Sequence, residues 1–160
     1  MVPVCQSAAM TFAMTPIGFV RGGRDAVEDD EWGTVTARIE LDGFDADALR
    51  ALDTFSHVEV LFVFDRVDPD GVCRGARHPR GRDDWPLVGI FAQRAKDRPN
   101  RIGSTVCELV AVDGTAVEVR GLDAVAGTPV LDLKPYMPGF APRGAVRQPA
   151  WAEELMDGYW

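Results

Sequence analysis

A strict alternation of apolar and polar residues is the clearest pattern in the chain, and it lies in the segment GTVTARIEL that begins at Gly33. The apolar positions are Val35, Ala37, Ile39 and Leu41, and the polar positions between them are Thr34, Thr36, Arg38 and Glu40. Because successive side chains of a strand point to opposite faces, the first set is predicted to face a core and the second to face solvent.

Several other segments have the length and composition of strands. They are TPIGFVR from Thr15, HVEVLFVFD from His57, LVGIFAQR from Leu87 and PVLDLKPY from Pro129. The segment from His57 is predicted to be a central strand that is apolar on both faces. STVCELVAV and TAVEVRGL flank the dipeptide Asp113-Gly114, which predicts a hairpin with a type I′ turn.

One short amphipathic helix is predicted in DADALRALDTF, with Asp45 as its N-cap. Its apolar residues recur at helical spacing and are Ala48, Leu49, Leu52 and Phe55. A second short helical segment ends the chain, with Trp151 and Leu155 on roughly one face. We expect its neighbours Tyr159 and Trp160 to pack against the body or a second subunit.

Six or seven strands that do not alternate with helices predict an all-β fold, a closed or nearly closed antiparallel barrel with one or two short helices. The 160 residues are 46% apolar, which suits one domain. We divide the chain into an N-terminal extension (1–14), a β-barrel domain (15–140) and a C-terminal tail with a short helix (141–160).

Composition excludes several classes of protein. The opening MVPVCQSAAMTFAM lacks a basic start and is a poor signal peptide, and the longest apolar run, VEVLFVF, is too short to span a membrane. We therefore expect a cytoplasmic protein with no membrane partner. Three widely spaced cysteines and two histidines encode neither a disulfide framework nor a metal site, so Cys5, Cys73 and Cys107 are interpreted as reduced thiols.

Charge is distributed unevenly along the chain. The segment from Arg74 to Arg101 carries a net charge of +5, whereas the rest carries −13. This basic island in an acidic body suggests a local anion site, and a solvated loop of mixed charge is the alternative.

The polar residues that suggest chemistry fall in two segments. LVGIFAQRAKDRPNRIGST, from Leu87, presents Arg94, Arg98 and Asn100 around Pro99, and Gly103 allows close backbone approach. GLDAVAGTPVLDLKPYMP, from Gly121, presents a second set: Asp123, Asp132, Lys134 and Tyr136. These residues suggest a binding loop; alternatively, Asp132 and Lys134 pair across a turn and Tyr136 caps the core.

Four separated motifs in order now make a resemblance visible. They are IG-V-R near Ile17, FSHVEVLFVFD from Phe55, the loop from GIFAQR through RPN to IGS, and GLDAVAGTPVLDLKPYMP. Together they resemble the TrmO-like (YaeB/TsaA-like) family of β-barrel methyltransferases from Thr15 to about Phe140. The resemblance implies a barrel that forms a homodimer and binds S-adenosylmethionine near the subunit interface.

Carried over position by position, the resemblance implies these cofactor contacts: Asp65, Arg66, Arg94, Ser104, Gly121, Leu122 and Asp123, with Asp30, Glu31 and Trp32 on an altered early loop. Asp65 or Asp123 is suited to accept hydrogen bonds from the ribose hydroxyls or the amino group, and Arg94 to pair with the methionine carboxylate. The candidates to orient the methyl acceptor are Asn100, Tyr136, Lys134 and His78.

Departures from the family leave the acceptor open. Where the family usually has FRPNPIG this chain has DRPNRIG, with Asp97 and Arg101 in place of an aromatic residue and a proline. The chain stops about where many tRNA-modifying members continue, and its net charge of −8 opposes phosphate binding. We therefore place first a methyltransferase acting on a small molecule at nitrogen; the alternatives are a tRNA N6-threonylcarbamoyladenosine methyltransferase and a non-catalytic cofactor-binding dimeric module.

Overall fold

The computed structural model describes residues 10–160, in which eight strands and one α-helix form. The strands are β1 (Gly18–Arg21), β2 (Thr36–Leu41), β3 (His57–Val63), β4 (Ala76–Arg77), β5 (Val88–Gly89), β6 (Ile102–Asp113), β7 (Ala116–Arg120) and β8 (Pro129–Pro135); the helix is α1 (Ala150–Met156). Six strands close into an antiparallel barrel in the order β1-β2-β7-β6-β3-β8, and β4 pairs with β5 outside it. The predicted all-β barrel is confirmed.

The barrel interior is filled by the inward side chains of its strands. In β2 the predicted alternation holds, since Ala37 and Ile39 are buried while Thr36 and Glu40 are exposed. In β3 the inward residues are fully buried, and the outward residues Glu59, Leu61 and Val63 are half-buried. The central core residues are Val20, Ile39, Val58, Val60, Phe62, Cys107, Val117, Val119, Leu122 and Val130.

Gly103 is required by the packing of Phe62. A Cβ atom at Gly103 would lie 2.4 Å from the Phe62 ring, a distance that no side chain tolerates. The predicted close approach is therefore confirmed, and it is made by a core aromatic ring on the neighbouring strand.

The predicted hairpin joins β6 to β7, but its turn differs from the predicted one. Asp113 pairs with Ala116, so the two loop residues are Gly114 and Thr115. Gly114 has a φ of +59°, whereas Thr115 is not among the positive-φ residues. A glycine at the first loop position with positive φ is the arrangement of a type II′ turn, so the predicted type I′ turn is wrong.

Two further predictions of local structure are wrong in the type of element, although Asp45 is the predicted N-cap and accepts a hydrogen bond from the Asp47 N–H at 3.0 Å. The segment after Asp45 forms two 3₁₀ turns, Ala46–Leu49 and Leu52–Thr54, because Ala51 between them adopts a left-handed φ of +66°. The segment from Leu87 contributes only β5 and then turns as a 3₁₀ helix over Ile90–Ala92. The buried Gln93 amide stabilises that turn by donating hydrogen bonds to the carbonyl oxygens of Arg77 and Val88.

Strand direction separates the barrel into two rims. Strands β1, β3 and β7 end at one rim, where β2, β6 and β8 begin, so residues 22–35, 64–101 and 121–128 all lie there. We call this the long-loop rim. The opposite, short-loop rim carries residues 42–56 and the Gly114–Thr115 turn.

The C-terminal tail contains the predicted short helix, which is α1. The ring centroid of Trp151 on α1 lies 6.4 Å from that of Trp85, and the Trp85 indole Nε1–H donates to the Glu154 carboxylate at 2.8 Å. The tail is thereby attached to the long loop between β3 and β6. Most of the predicted N-terminal extension, residues 1–9 with Cys5, lies outside the described residues. Within residues 10–160, no helix combines the length and apolar character needed to cross a membrane.

Candidate functional site

The long-loop rim gathers most of the residues that the sequence singled out. Its three loops carry Asp30, Glu31, Trp32, Asp65, Arg66, His78, Arg94, Asn100, Gly121, Leu122 and Asp123, and Ser104 lies near it on the outer face of β6. Residues from four separated parts of the sequence therefore meet at one end of the barrel.

Arg24 organises the early loop. Its guanidinium donates hydrogen bonds to the carbonyl oxygens of Asp30 and Glu31, both at 2.7 Å, and lies 4.3 Å from the centroid of the Trp32 ring. Trp32 is only 4% exposed and so packs beneath the loop. The Asp30 carboxylate pairs with Arg80 at 2.7 Å. The sequence analysis missed Arg24, although its place one residue after a Gly-Gly pair marks a loop start.

The turn after β7 places a half-buried carboxylate at the rim. Gly121 adopts a φ of +82°, and Leu122 is fully buried, so Leu122 offers a ligand only its backbone groups. Asp123 accepts hydrogen bonds from the hydroxyls of Thr105 and Tyr159. Burial, and secondarily the charge of Asp123, raises the pKa of the Cys107 thiol to about 12.

Arg66 connects two loops of the rim. Its guanidinium donates to the carbonyl oxygens of Ala126, at 2.8 Å, and Asp25, at 3.3 Å. The neighbouring Asp65 is exposed. Arg66 therefore fixes the loop geometry, whereas Asp65 presents its carboxylate to solvent at the same place.

Arg94, Ser104 and Glu59 form a continuous polar chain. The Arg94 guanidinium donates to the carbonyl oxygen of Ser104 at 2.5 Å, and the Ser104 hydroxyl donates to Glu59 at 2.6 Å. Glu59 sits on the outer face of β3, directly opposite Lys134 of β8. The sequence analysis missed Glu59; the signal for it was a lone carboxylate in an otherwise apolar strand.

The basic island is largely engaged within the protein. Four of its cations form ion pairs, namely Arg77 with Asp97, Arg80 with Asp30, Arg82 with Asp84 and Lys96 with Asp29. Three others donate to backbone carbonyl oxygens, namely Arg94, Arg98 and Arg101. Arg74 is exposed. The island is therefore a folded loop whose remaining positive charge lies on Arg74 and on the three arginines that carbonyl groups hold.

The two positions that depart from the family pattern carry their own contacts. Asp97 accepts two hydrogen bonds from Arg77, and Arg101 donates to the Val67 carbonyl oxygen at 2.7 Å. Arg101 has a φ of +53°, and the preceding Asn100 has a φ of +63°. A proline, whose φ is fixed near −65°, cannot occupy the Arg101 position in this backbone. This backbone therefore excludes the proline that the family usually has at this position.

The candidates for orienting an acceptor are not brought together. Asn100 lies exposed at the long-loop rim, and the His78 ring Nδ1 is hydrogen-bonded to the Trp85 carbonyl oxygen at 2.6 Å. Tyr136 lies at the short-loop rim, where its ring packs edge-on against the His57 ring with the two ring centroids 6.5 Å apart. Tyr136 therefore does not cap the core, and it lies near Lys134 at the end of β8 but at the opposite rim from Asn100 and His78.

Lys134 lies on the outer face of β8. It pairs with Asp132 two residues away on the same strand, so the predicted pairing occurs along the strand instead of across a turn. The hydrogen bond and charge of Asp132, and secondarily the charge of Glu59, raise the pKa of the Lys134 ammonium group. Lys134 is therefore a cationic donor and not a base at neutral pH.

Two open clefts lie at the long-loop rim beside the tail. One is lined by Glu28, Asp29, Asp30, Glu31, Asp157 and Gly158, and the other by Arg24, Glu31, Gly33, Thr34, Val35 and Trp160. In the part of the chain that the structure describes, no group of His, Cys, Asp and Glu side chains is arranged to hold a metal ion.

Comparison with known proteins agrees with the barrel fold. A family model described as the tRNA-methyltransferase O N-terminal domain matches residues 28–141. The tRNA (adenine(37)-N6)-methyltransferase of Escherichia coli is 42% identical over 97 residues, which are 58% of this chain and 41% of that protein. Its human counterpart is 41% identical over 90 residues, which are 56% of this chain and 20% of that protein.

Solved structures are similar over most of the chain. A crystal structure of TrmO from Pseudomonas aeruginosa superposes with a TM-score of 0.72 and 29% identity, covering 90% of this chain and 63% of that one. The chain thus spans less than two thirds of the length of each of these relatives. Because the family model covers well over half of the chain, the chain belongs to the tRNA-methyltransferase O N-terminal domain family.

Proposed function

We propose that this chain binds S-adenosylmethionine at the long-loop rim and transfers its methyl group to an adenosine in tRNA. One observation carries the cofactor part of the proposal. Arg94 and Asp123, a cation and an anion from loops far apart in sequence, bind consecutive residues of β6, since Arg94 donates to the Ser104 carbonyl and Asp123 accepts from Thr105. The rim thereby presents a positive and a negative side chain that are bound to neighbouring residues of one strand.

The donor set fits the chemistry of this cofactor. The Arg94 guanidinium has five N–H donors and makes one hydrogen bond within residues 10–160, so the others can bind the methionine carboxylate bidentately. Asp65 and Asp123 supply acceptors for the ribose hydroxyls and the amino group. When bound, the cofactor supplies a methyl group on a positively charged sulfur, and the acidic residues of the rim suit that charge.

Asn100 and Lys134 are the residues we propose for the acceptor side. The Asn100 amide both donates and accepts, so it can hold an exocyclic amine and a ring nitrogen together. Lys134 donates hydrogen bonds in its protonated form. Alignment of two bound reactants can lower a barrier by about 7–11 kcal/mol, so this chain needs no strong base to promote transfer to nitrogen. We leave His78 and Tyr136 out of the proposed site.

The acceptor favoured here is the tRNA adenosine that the sequence analysis placed second. The relatives in Escherichia coli and human are named tRNA (adenine(37)-N6)-methyltransferases, which supports tRNA, whereas the small-molecule acceptor that we placed first has no support among them. Three arginines supply the phosphate contacts in this proposal. Arg98 and Arg101 have no carboxylate partner within the described residues, and Arg74 is exposed.

We also propose that the protein acts as a cytoplasmic homodimer. The outer face of β6 exposes two apolar side chains on either side of Ser104, with Ile102 37% exposed and Val106 43% exposed, and Phe91 in the preceding loop is 77% exposed. Apolar surface of this kind suits contact with a second copy. Light scattering of the Val106→Glu variant tests the proposal: a halved mass supports it, and an unchanged mass contradicts it.

Methyl transfer is tested with labelled S-adenosylmethionine and total tRNA from a strain that lacks its own enzyme. We expect label in tRNA, and less label at higher salt because phosphate contacts are screened. Arg98→Ala and Arg74→Ala are expected to reduce labelling severalfold. Arg50→Ala, which removes the same charge at the short-loop rim, is the control. Cofactor binding without transfer to tRNA or to cell metabolites supports a non-catalytic module instead.

A further inference from the structure

The end of the tail runs along the early loop. The Gly158 carbonyl oxygen accepts a hydrogen bond from the Glu31 N–H at 2.9 Å, and the Tyr159 carbonyl oxygen accepts one from the Trp32 N–H at 2.8 Å. A Cβ atom at Gly33 would lie 2.6 Å from the backbone of Trp160, so the tail is packed closely against the loop. Glu31 and Trp32, which the family resemblance implies as cofactor contacts, are therefore held by the tail backbone.

The tail also reaches a third cofactor residue. The Asp123 carboxylate accepts from the Thr105 hydroxyl on one oxygen and from the Tyr159 hydroxyl on the other. Burial, followed by the charge of Asp123, raises the pKa of Tyr159, so this hydroxyl stays protonated as a donor. An ionised carboxylate offers about four acceptor positions, and two remain on Asp123 after these bonds.

We propose that Tyr159 is a positioning residue of the cofactor site and acts by fixing the orientation of the Asp123 carboxylate. A carboxylate held at both oxygens cannot rotate, so its two remaining acceptor positions are oriented before a ligand arrives. Such preorganisation increases affinity because less motion is lost on binding. The inference rests on the proposed function, in which Asp123 accepts hydrogen bonds from S-adenosylmethionine.

The decisive variant is Tyr159→Phe, which removes one hydroxyl and keeps the ring. Isothermal titration calorimetry on the full chain is expected to show S-adenosylmethionine binding about tenfold more weakly, equal to about 1.4 kcal/mol. Tyr136→Phe removes the chain's other tyrosine hydroxyl, at the opposite rim, and is expected to leave the affinity unchanged.

A double-mutant cycle separates positioning from a general structural effect. In the Asp123→Asn background, adding Tyr159→Phe is expected to change affinity by less than about twofold, because Tyr159 acts through the carboxylate. In the tRNA methylation assay, Tyr159→Phe is expected to raise the KM for S-adenosylmethionine and leave kcat unchanged.

Three outcomes overturn the inference. The first is an unchanged affinity in Tyr159→Phe, and the second is that Tyr159→Phe lowers the affinity as much in the Asp123→Asn background as in the unsubstituted protein. The third is that Tyr159→Phe lowers kcat with no change in KM. Absence of binding by the unsubstituted protein instead overturns the proposed function, so the two failures are distinct. Far-UV circular dichroism of each variant checks that the barrel is intact.

Discussion

The Ser104 hydroxyl donates a hydrogen bond to the Glu59 carboxylate at 2.6 Å, and this bond links the cofactor side of the proposed site to its acceptor side. Ser104 is held by Arg94 through its carbonyl oxygen, and Glu59 faces Lys134 across the β3–β8 pairing. A single carboxylate on the outer surface of the barrel therefore connects residues from three elements.

Removal of that carboxylate is expected to weaken cofactor binding. Glu59→Ala leaves the Ser104 hydroxyl without its acceptor, and we expect about a fivefold loss of affinity for S-adenosylmethionine, which corresponds to about 1 kcal/mol, the net contribution of a typical single hydrogen bond. Glu59→Gln, whose amide oxygen still accepts, is expected to lose less. Calorimetry measures both. Glu108→Gln, on the outer face of β6 and paired with Arg120, is the matched control. Equal affinities for Glu59→Ala and the unsubstituted protein would contradict the link.

The ion pair between Arg77 and Asp97 is expected to stabilise the long loop. Both side chains are partly buried, 35% and 23% exposed, and two hydrogen bonds join them. Asp97→Ala is expected to lower the free energy of unfolding by about 1–3 kcal/mol, because Arg77 then keeps a partly buried charge with no partner. Urea denaturation measures the loss. Asp84→Ala, which breaks an exposed pair with Arg82, is expected to cost less than about 1 kcal/mol. Equal costs for the two variants would refute the argument.

The left-handed backbone at Arg101 predicts a penalty for proline. Arg101→Pro cannot adopt the φ of +53° and loses the bond from the Arg101 N–H to the Arg98 carbonyl oxygen, at 3.0 Å. We expect a loss of about 3 kcal/mol in unfolding free energy. Arg101→Gly tolerates that φ and is the control. A proline variant as stable as the glycine variant would show that the loop can take the usual family conformation.

Cys107 is expected to resist alkylation while the protein is folded. Its thiol is 1% exposed, and burial raises its pKa from about 9 to about 12, so little reactive thiolate forms at pH 8. In a Cys5→Ser variant, a thiol reagent at pH 8 is expected to modify Cys73 alone, and to modify both cysteines in urea. Modification of Cys107 in the folded protein, detected by mass spectrometry, would contradict its burial.

The raised pKa of the Cys107 thiol makes the stability of the protein depend on pH in the alkaline range. The unfolded chain releases the Cys107 proton near pH 9, whereas the folded protein holds it to about pH 12. The unfolded state therefore binds fewer protons between these values, and stability falls as pH rises through them. Cys107→Ala is expected to show a smaller fall in unfolding free energy from pH 9 to pH 11. An identical slope in both proteins would remove Cys107 as a cause.

Local patterns predicted the parts of the fold in which one face of a strand is buried. Ala37 and Ile39 were identified by period-two alternation, and Gly103 by the close approach that a glycine allows. The prediction of a long strand from Leu87 was wrong because the apolar run there also suits a turn in which Ile90 is buried and Phe91 is exposed. Apolarity alone does not distinguish these two structures.

The candidate site was harder to predict because its contacts join distant segments. Glu59 and Tyr159 each bind residues far away in sequence, so no local spacing reveals them, whereas Arg24 binds the carbonyl oxygens of Asp30 and Glu31 within its own loop. Tyr136 was favoured because it lies close in sequence to Asp132 and Lys134. Strand β8 carries it to the opposite rim, since each residue of a strand advances about 3.3 Å.

Calorimetric titration of the purified protein with S-adenosylmethionine tests the central claim most directly, namely that the long-loop rim binds this cofactor through Arg94 and Asp123. The account predicts saturable heat for the unsubstituted protein, at least tenfold weaker binding for Arg94→Ala, and unchanged binding for Arg50→Ala at the other rim. No heat with either S-adenosylmethionine or its demethylated product, or equal binding by Arg94→Ala, contradicts it.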